Sequence, residues 1–150
     1  MSVTVRPVDP DEVHGYFRRR PTKVNPFQKM FDRISPFYVR IENRSQHQVA
    51  FDPGLTLLKD QTGRSADAWD ATDLYQTFAD RPAMLQAAQG GVLTSYLVVP
   101  PDQNREGLLV FPAYPKAAKA LFLQFTSLYA GGTAYPLIFE FEVVPEGSKK

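Results

Sequence analysis

The side chains able to do chemistry in this chain are few and scattered. His14 and His47 are its only histidines, and neither stands at a metal-ligand spacing such as HxxxH. They read as loop or surface residues. Met1, Met30 and Met84 are too far apart to gather a soft metal, and the absence of Cys removes any thiolate ligand or nucleophile. Ser45 precedes His47 by two positions but falls in a strand-to-strand turn with no acid placed to orient the ring, and no serine stands in a G-x-S-x-G frame. Glu140 and Glu142 share one strand face about 7 Å apart, a separation compatible with a glycosidase carboxylate pair, yet the alternation around them turns that face to solvent. Asp60, Asp67, Asp70 and Asp73 offer oxygens to a hard cation without the D-x-D-x-D-G spacing, and Asp70 is better placed as a helix cap. Gly90-Gly91 and Gly131-Gly132 are isolated pairs outside both phosphate-binding glycine frames. The chemistry-bearing residues therefore point to a non-enzymatic protein with no cofactor and no metal site.

One segment combines charge with rings. Arg18, Arg19, Arg20, Lys23, Lys29 and Arg33 face Asp32 alone, and Tyr16, Phe17, Phe27 and Phe31 are interleaved with them. Further on, Asp52, Asp60, Asp67, Asp70, Asp73 and Asp80 face only Lys59 and Arg64. The formal net charge of +1 thus hides two opposed patches. Cations suit phosphates and rings suit unstacked bases, but the balanced total and the acidic middle weigh against a polyanion partner. An electropositive stripe docking on a protein or on acidic headgroups fits as well.

The elements that must position these residues are mainly strands. In 150 residues with 13 Pro and 9 Gly, period-two alternation recurs. Phe37, Val39 and Ile41 share one face of Pro36 to Glu42; Leu121, Leu123 and Phe125 share one face of a strand over Ala120 to Leu128; Leu137, Phe139, Phe141 and Val143 share one face of Pro136 to Val144. The last two pair through a connection at Gly131-Gly132, where glycine supplies positive φ. Shorter strands are expected over Val3 to Val8, Gln48 to Asp52, Leu55 to Lys59, Val92 to Val99 and Leu108 to Phe111, with Pro100 to Glu106 as a polar loop. Asn43 and Gly63 suit turns that require left-handed backbone. Asp70 and Asp73 mark a helix start, Leu74 and Phe78 its apolar stripe, and Pro82 ends or restarts it before a second turn over Ala83 to Ala88. Residues 13–35 read as an irregular basic and aromatic connection, and 145–150 as a flexible tail. The result is one all-β domain over 1–150, a β-sandwich of seven to eight strands with a short helical insertion at about residues 70–88. No apolar run approaches the roughly 18 residues needed to span a bilayer.

The run Phe37-Tyr38-Val39-Arg40-Ile41-Glu42-Asn43-Arg44-Ser45, then Val49-Ala50-Phe51-Asp52-Pro53 and Leu57-Leu58-Lys59-Asp60-Gln61-Thr62-Gly63, resembles the early half of telokin-like, immunoglobulin-type domains of exported bacterial proteins and lipoproteins. Gly107-Leu108-Leu109-Val110-Phe111-Pro112 and Leu121-Phe122-Leu123-Gln124-Phe125 are similar to later strands of that family. The resemblance covers roughly 36–144 and departs from the family in the helical insert and the basic lead-in. It implies an immunoglobulin-like sandwich of the cell envelope, periplasmic or otherwise extracytoplasmic, with a lipid anchor upstream as one arrangement, and it brings no catalytic residue. A partner protein or envelope component is expected where the insert (Leu74, Tyr75, Phe78) meets the lead-in (Tyr16, Phe17, Arg18, Arg19, Arg20, Phe27, Phe31), the rings forming an exposed patch. The alternative is a cytoplasmic binder of nucleic acid or acidic protein through 18–33.

Overall fold

In the computed structural model, which describes residues 1–144, the alternating segments pair into three antiparallel sheets with no barrel. The tail expected at 145–150 lies outside the described residues. In chain order the strands are β1 (Ser2–Pro7), β2 (Ile34–Asn43), β3 (Val49–Phe51), β4 (Thr56–Asp60), β5 (Ser65–Asp67), β6 (Leu97–Val99), β7 (Gln103–Pro112), β8 (Ala120–Phe125), β9 (Leu128–Ala130), β10 (Thr133–Ala134) and β11 (Leu137–Glu142). Three helices join them: α1 (Pro10–Arg18), α2 (Ala71–Phe78) and α3 (Pro82–Gly91). The sheet orders are β1-β2-β7, β10-β9-β3-β6 and β11-β8-β4-β5.

The second and third sheets run end to end. A single 3-10 turn, Pro53–Leu55, leads from β3 into β4, and the Asp52 amide bonds the Ser127 carbonyl at 3.1 Å beside the break between β8 and β9. Gly131 (φ 57°) and Gly132 (φ 83°) form a tight hairpin, but between the short strands β9 and β10 of the second sheet and not directly between the two long strands expected to pair through it. The strand expected from Ala120 to Leu128 is thus two segments, and its partner is β11 as anticipated, with Leu123 opposite Phe139.

The first sheet faces the other two across the main core. Phe37, Val39 and Ile41 of β2 and Leu109 and Phe111 of β7 meet Phe51, Leu58, Leu123 and Phe125 there. Phe51 and Phe125 stack with centroids 4.9 Å apart, and Phe37 meets Phe111 edge-on at 5.8 Å. The other face of the first sheet is not left to water. Leu108 and Val110, the alternate residues of β7, point into a second core with Val13, Tyr16 and Phe17 of α1, Phe27, Met30, and Leu74 and Phe78 of α2. Full burial of a side chain of that size contributes about 1.5–3 kcal/mol, which is what holds the helices on the sheet. Where the chain leaving α3 crosses β7, Leu93 donates its amide to the Leu108 carbonyl at 2.8 Å, and a Cβ on Gly107 would lie 2.6 Å from the Leu93 side chain.

Several expectations need correction. Eleven strands, five of them of only two or three residues, stand among the described residues where seven to eight are expected, because short stretches pair at the sheet edges and breaks. Residues 13–35 are not irregular throughout: α1 occupies their start, opened by a capping box in which the Glu12 amide donates to Asp9 at 2.8 Å and the Asp9 amide to Glu12 at 3.4 Å. Pro10 sits in its first turn, where a missing amide costs nothing. Strand β7 begins at Gln103, so most of the segment expected as a polar loop is paired with β2. Of Val92 to Val99 only the last three residues form a strand, Val92 making a single parallel bridge to Leu108. Asn43 is not in left-handed backbone; its buried side chain donates to the carbonyls of Val99 (2.9 Å) and His47 (2.6 Å) and accepts from the Ser45 amide (3.0 Å), organising the turn through hydrogen bonds. The insert follows expectation: Asp70 and Asp73 form a reciprocal capping box, and Pro82 starts a separate helix that runs to Gly91.

Candidate functional site

The expected aromatic patch exists as a cluster but not as a surface. Tyr16, Phe17, Phe27, Leu74 and Phe78 do come together, yet all are buried, and Phe31 is half-buried against them. Phe27 is the hub, with ring centroids of Phe78 at 5.7 Å, Phe17 at 5.9 Å and Trp69 at 6.3 Å. These rings are core because the first sheet is covered on both faces, whereas a simple sandwich would leave its outer face bare. Of the ring set only Tyr75, 61% exposed, reaches solvent freely. Arg18 and Arg19 are exposed on α1, and Arg20 is half-exposed just past its end.

What the fold leaves open lies beside that cluster. The helices cover the outer face of β1-β2-β7 at its apolar end, where Ile34, Leu108 and Val110 lie, and stop short of its polar end. Antiparallel register sets rows across the bare part: Arg6 opposite Tyr38 opposite Leu108, then Thr4 opposite Arg40 opposite Glu106. A cleft of about 340 Å³ opens between these rows and α1, lined by Arg6, Tyr16, Arg19, Arg20, Tyr38 and Glu106. Val8 and Leu108 give it an apolar patch, and Glu12 stands at the α1 side.

The polar groups of the cleft are held by one another. Arg6 pairs with Glu12 and lies 5.0 Å from the centre of the Tyr38 ring. Tyr38 donates its hydroxyl to Glu106, which also has the Arg40 guanidinium at 3.9 Å. Arg40 in turn donates to Glu42 at 2.9 Å, which holds the Glu42 carboxyl below its ordinary pKa. On the opposite wall Tyr16 donates to the Gly91 carbonyl at 2.8 Å and accepts from Arg20, whose guanidinium sits 4.6 Å from the Tyr16 ring centre. Burial raises the pKa of both phenols, first for Tyr16 and for Tyr38 alike, and the Glu106 carboxylate raises Tyr38 further by accepting its proton's hydrogen bond. Both tyrosines are therefore neutral donors near pH 7. Arg19 has no hydrogen-bond or ion-pair acceptor among the described residues.

The geometry can orient and neutralise an acceptor-rich group through guanidiniums, the two phenol protons being already given to Gly91 and Glu106. Of the residues expected at a partner surface, Tyr16, Arg19 and Arg20 line the cleft; Arg6, Glu12, Tyr38 and Glu106 line it too without being among those expected. Two sequence signals point to them: Asp9-Pro10-x-Glu12, which starts α1 beside β1, and the outward alternation Tyr38, Arg40, Glu42. His14 and His47 are exposed and far apart in the fold's elements, and no group of three or more His, Cys, Asp or Glu able to hold a metal occurs among the described residues. No helix of the described residues is long and apolar enough to cross a membrane.

No protein-family model matches the chain, and no curated protein matches it. Among solved structures it is similar to a FixG-related protein from Vibrio parahaemolyticus, at 9% identity over 97% of this chain and 95% of that one, with a TM-score of 0.48. It is also similar to the yjhA protein from Bacillus subtilis, at 12% identity and a TM-score of 0.42 over 63% of this chain. That match spans 56% of the Bacillus protein's length.

Proposed function

We propose that this chain is a non-enzymatic binding domain of the cell envelope, built on an immunoglobulin-like sandwich, and that it engages its partner through the cleft between α1 and the outer face of β1-β2-β7. The single observation that carries this reading is the uneven covering of that sheet. Three helices bury its apolar end, while the polar end is left as an open cleft with a guanidinium on its rim, Arg19, that has no acceptor among the described residues. Support for the immunoglobulin-like type is the facing of β1-β2-β7 against β11-β8-β4 with antiparallel pairing throughout both layers. The envelope placement draws on the resemblance over 36–144. A nucleic-acid surface along 18–33 would have cations but no stacking platform, since Tyr16, Phe17 and Phe27 are buried in the second core.

Photo-crosslinking tests the site and the compartment together. Benzoylphenylalanine is placed at Arg19 on the cleft rim, or at Glu140 on the exposed face of β11, and each protein is irradiated in separated envelope and soluble fractions of the producing cell. The expected result is a discrete adduct from position 19, in the envelope fraction, with none from position 140. Equal adducts from both positions would remove the cleft from the account, and adducts confined to the soluble fraction would remove the envelope.

A further inference from the structure

We infer that the cleft binds a doubly charged tetrahedral oxyanion, a phosphate or phosphate monoester, gripped by the guanidiniums of the consecutive residues Arg19 and Arg20, which both line it. This rests on the reading of the cleft as the binding site and names what that site takes.

Charge accounting within the cleft leads there. Of its three lining arginines, Arg6 is compensated by Glu12, while the carboxylates Glu106 and Glu42 are balanced by Arg40 and Arg44. Arg20 contacts only the Tyr16 phenol, which carries no charge, and Arg19 contacts no acceptor among the described residues. Two positive charges on consecutive residues are thus left for a ligand. A single carboxylate is saturated by one bidentate arginine, whereas a phosphate monoester brings about 1.5–2 negative charges and enough oxygens for two forks. Arg20 is also held in place before any ligand arrives. It lies on the Tyr16 ring, and that ring is fixed by the hydrogen bond from its hydroxyl to Gly91. Beyond the anion, the half-buried Val8 gives a small apolar contact for whatever the phosphate is attached to.

The probe is inorganic phosphate, titrated into the full chain at fixed ionic strength with sodium chloride as the balance, while arginine Nε–H and backbone amide resonances are followed by NMR. Saturable shifts are expected at Arg19, Arg20 and Gly91. Affinity should fall about tenfold in Arg19→Gln and in Arg20→Lys, the latter keeping the charge but losing the fork, and should be unchanged in Glu140→Gln. Non-saturating shifts, equal affinity for acetate, or wild-type affinity in both arginine variants would overturn the inference. Co-sedimentation with vesicles containing phosphatidic acid, compared with phosphatidylcholine alone, separates the two sources: sedimentation with the former assigns a headgroup, and saturation by phosphate without sedimentation assigns a soluble phosphate. If crosslinks form at position 19 while phosphate fails to saturate, the cleft stands as the partner site and the phosphate assignment falls; the reverse pattern leaves the phosphate site and removes the partner.

Discussion

Tyr16 donates its phenolic proton to the carbonyl oxygen of Gly91, 2.8 Å away across 75 positions of chain. That bond fastens α1 to the end of α3 and sets the ring on which Arg20 lies, so the second core and the cleft share a residue. It also explains why position 91 carries no side chain. A Cβ there would stand 2.5 Å from Phe17 Cε1 and 3.2 Å from Tyr16 Cε2, both on buried rings.

Two neighbouring glycines should therefore respond in opposite directions to the same change. Gly91→Ala should destabilise the domain by about 1–3 kcal/mol, because the rings it meets have nowhere to go. Gly90→Ala, exposed in the same helix with nothing within 4 Å of its Cβ, should stabilise by about 0.5–1 kcal/mol through reduced backbone entropy. Urea titration of both variants checks this; a gain in midpoint for Gly91→Ala would contradict the packing described.

Rings that sequence alone groups as one patch should separate by burial. Phe78→Ala in the second core should cost about 3–5 kcal/mol, whereas Tyr75→Ala should stay within about 0.5 kcal/mol; Phe111→Ala, outside that patch and in the main core, should also cost about 3–5 kcal/mol. An unchanged melting temperature for Phe111→Ala would remove that ring from the centre of the sandwich.

How much of this was readable beforehand follows from which faces are covered. Strands such as 37–42, 121–125 and 137–143 announce themselves because one face meets the core and the other meets water. Strand β7 was legible only in its second half, as the apolar run Leu108 to Phe111, which is buried on both faces; Gln103 to Glu106 are polar on both faces, held by backbone pairing to β2, and read as a loop. Neither half alternates. Helix α1 was obscured by Pro10 and Gly15, although Val13, Tyr16 and Phe17 have helical spacing and Asp9 and Glu12 cap it. The cleft needed the register of three strands distant in sequence, and no local pattern encodes that Arg6, Tyr38 and Leu108 lie in one row.

The capping box of α1 gives a further prediction. Asp9→Ala should destabilise by about 0.5–2 kcal/mol, since the Glu12 amide loses its acceptor, and Asp70→Ala should do the same for α2 through the Asp73 amide. Circular dichroism melts of the two variants measure it, and a wild-type melt for both would show that packing alone fixes the helix starts.

Stability should fall at both ends of the pH scale for separate reasons. The Tyr16 pKa is raised, first by burial, so the unfolded chain gives up that proton more readily; the stability it contributes is complete below about pH 10 and is lost as pH rises through the folded value. Tyr16→Phe should flatten that alkaline limb. Asp60 runs the other way. Its carboxylate accepts from the Thr62 hydroxyl and from the amides of Thr62 and Arg64, which lowers its pKa, so its contribution is present above the ordinary Asp range and is lost as pH falls through the lowered value. Asp60→Asn should flatten the acid limb only. Denaturant midpoints of the three proteins from acid to alkali decide it, and parallel curves would mean that neither group is linked to folding.

The double burial of β7 has a consequence for strand pairing. Sliding it by one residue along β2 so that Leu108 takes the place of Gly107 would swap which of Leu108, Leu109, Val110 and Phe111 fills each core, yet would bring no apolar side chain into water; only the opposite slip, which puts Phe111 in the exposed place of Pro112, is opposed by hydrophobicity. Gly107 opposes both. A one-residue displacement in either direction would bring Glu106 or Leu108 to the place where no Cβ fits beside Leu93. A missing side chain thus acts as the notch that locks the strand, and with it the position of Glu106 opposite Arg40 at the mouth of the cleft.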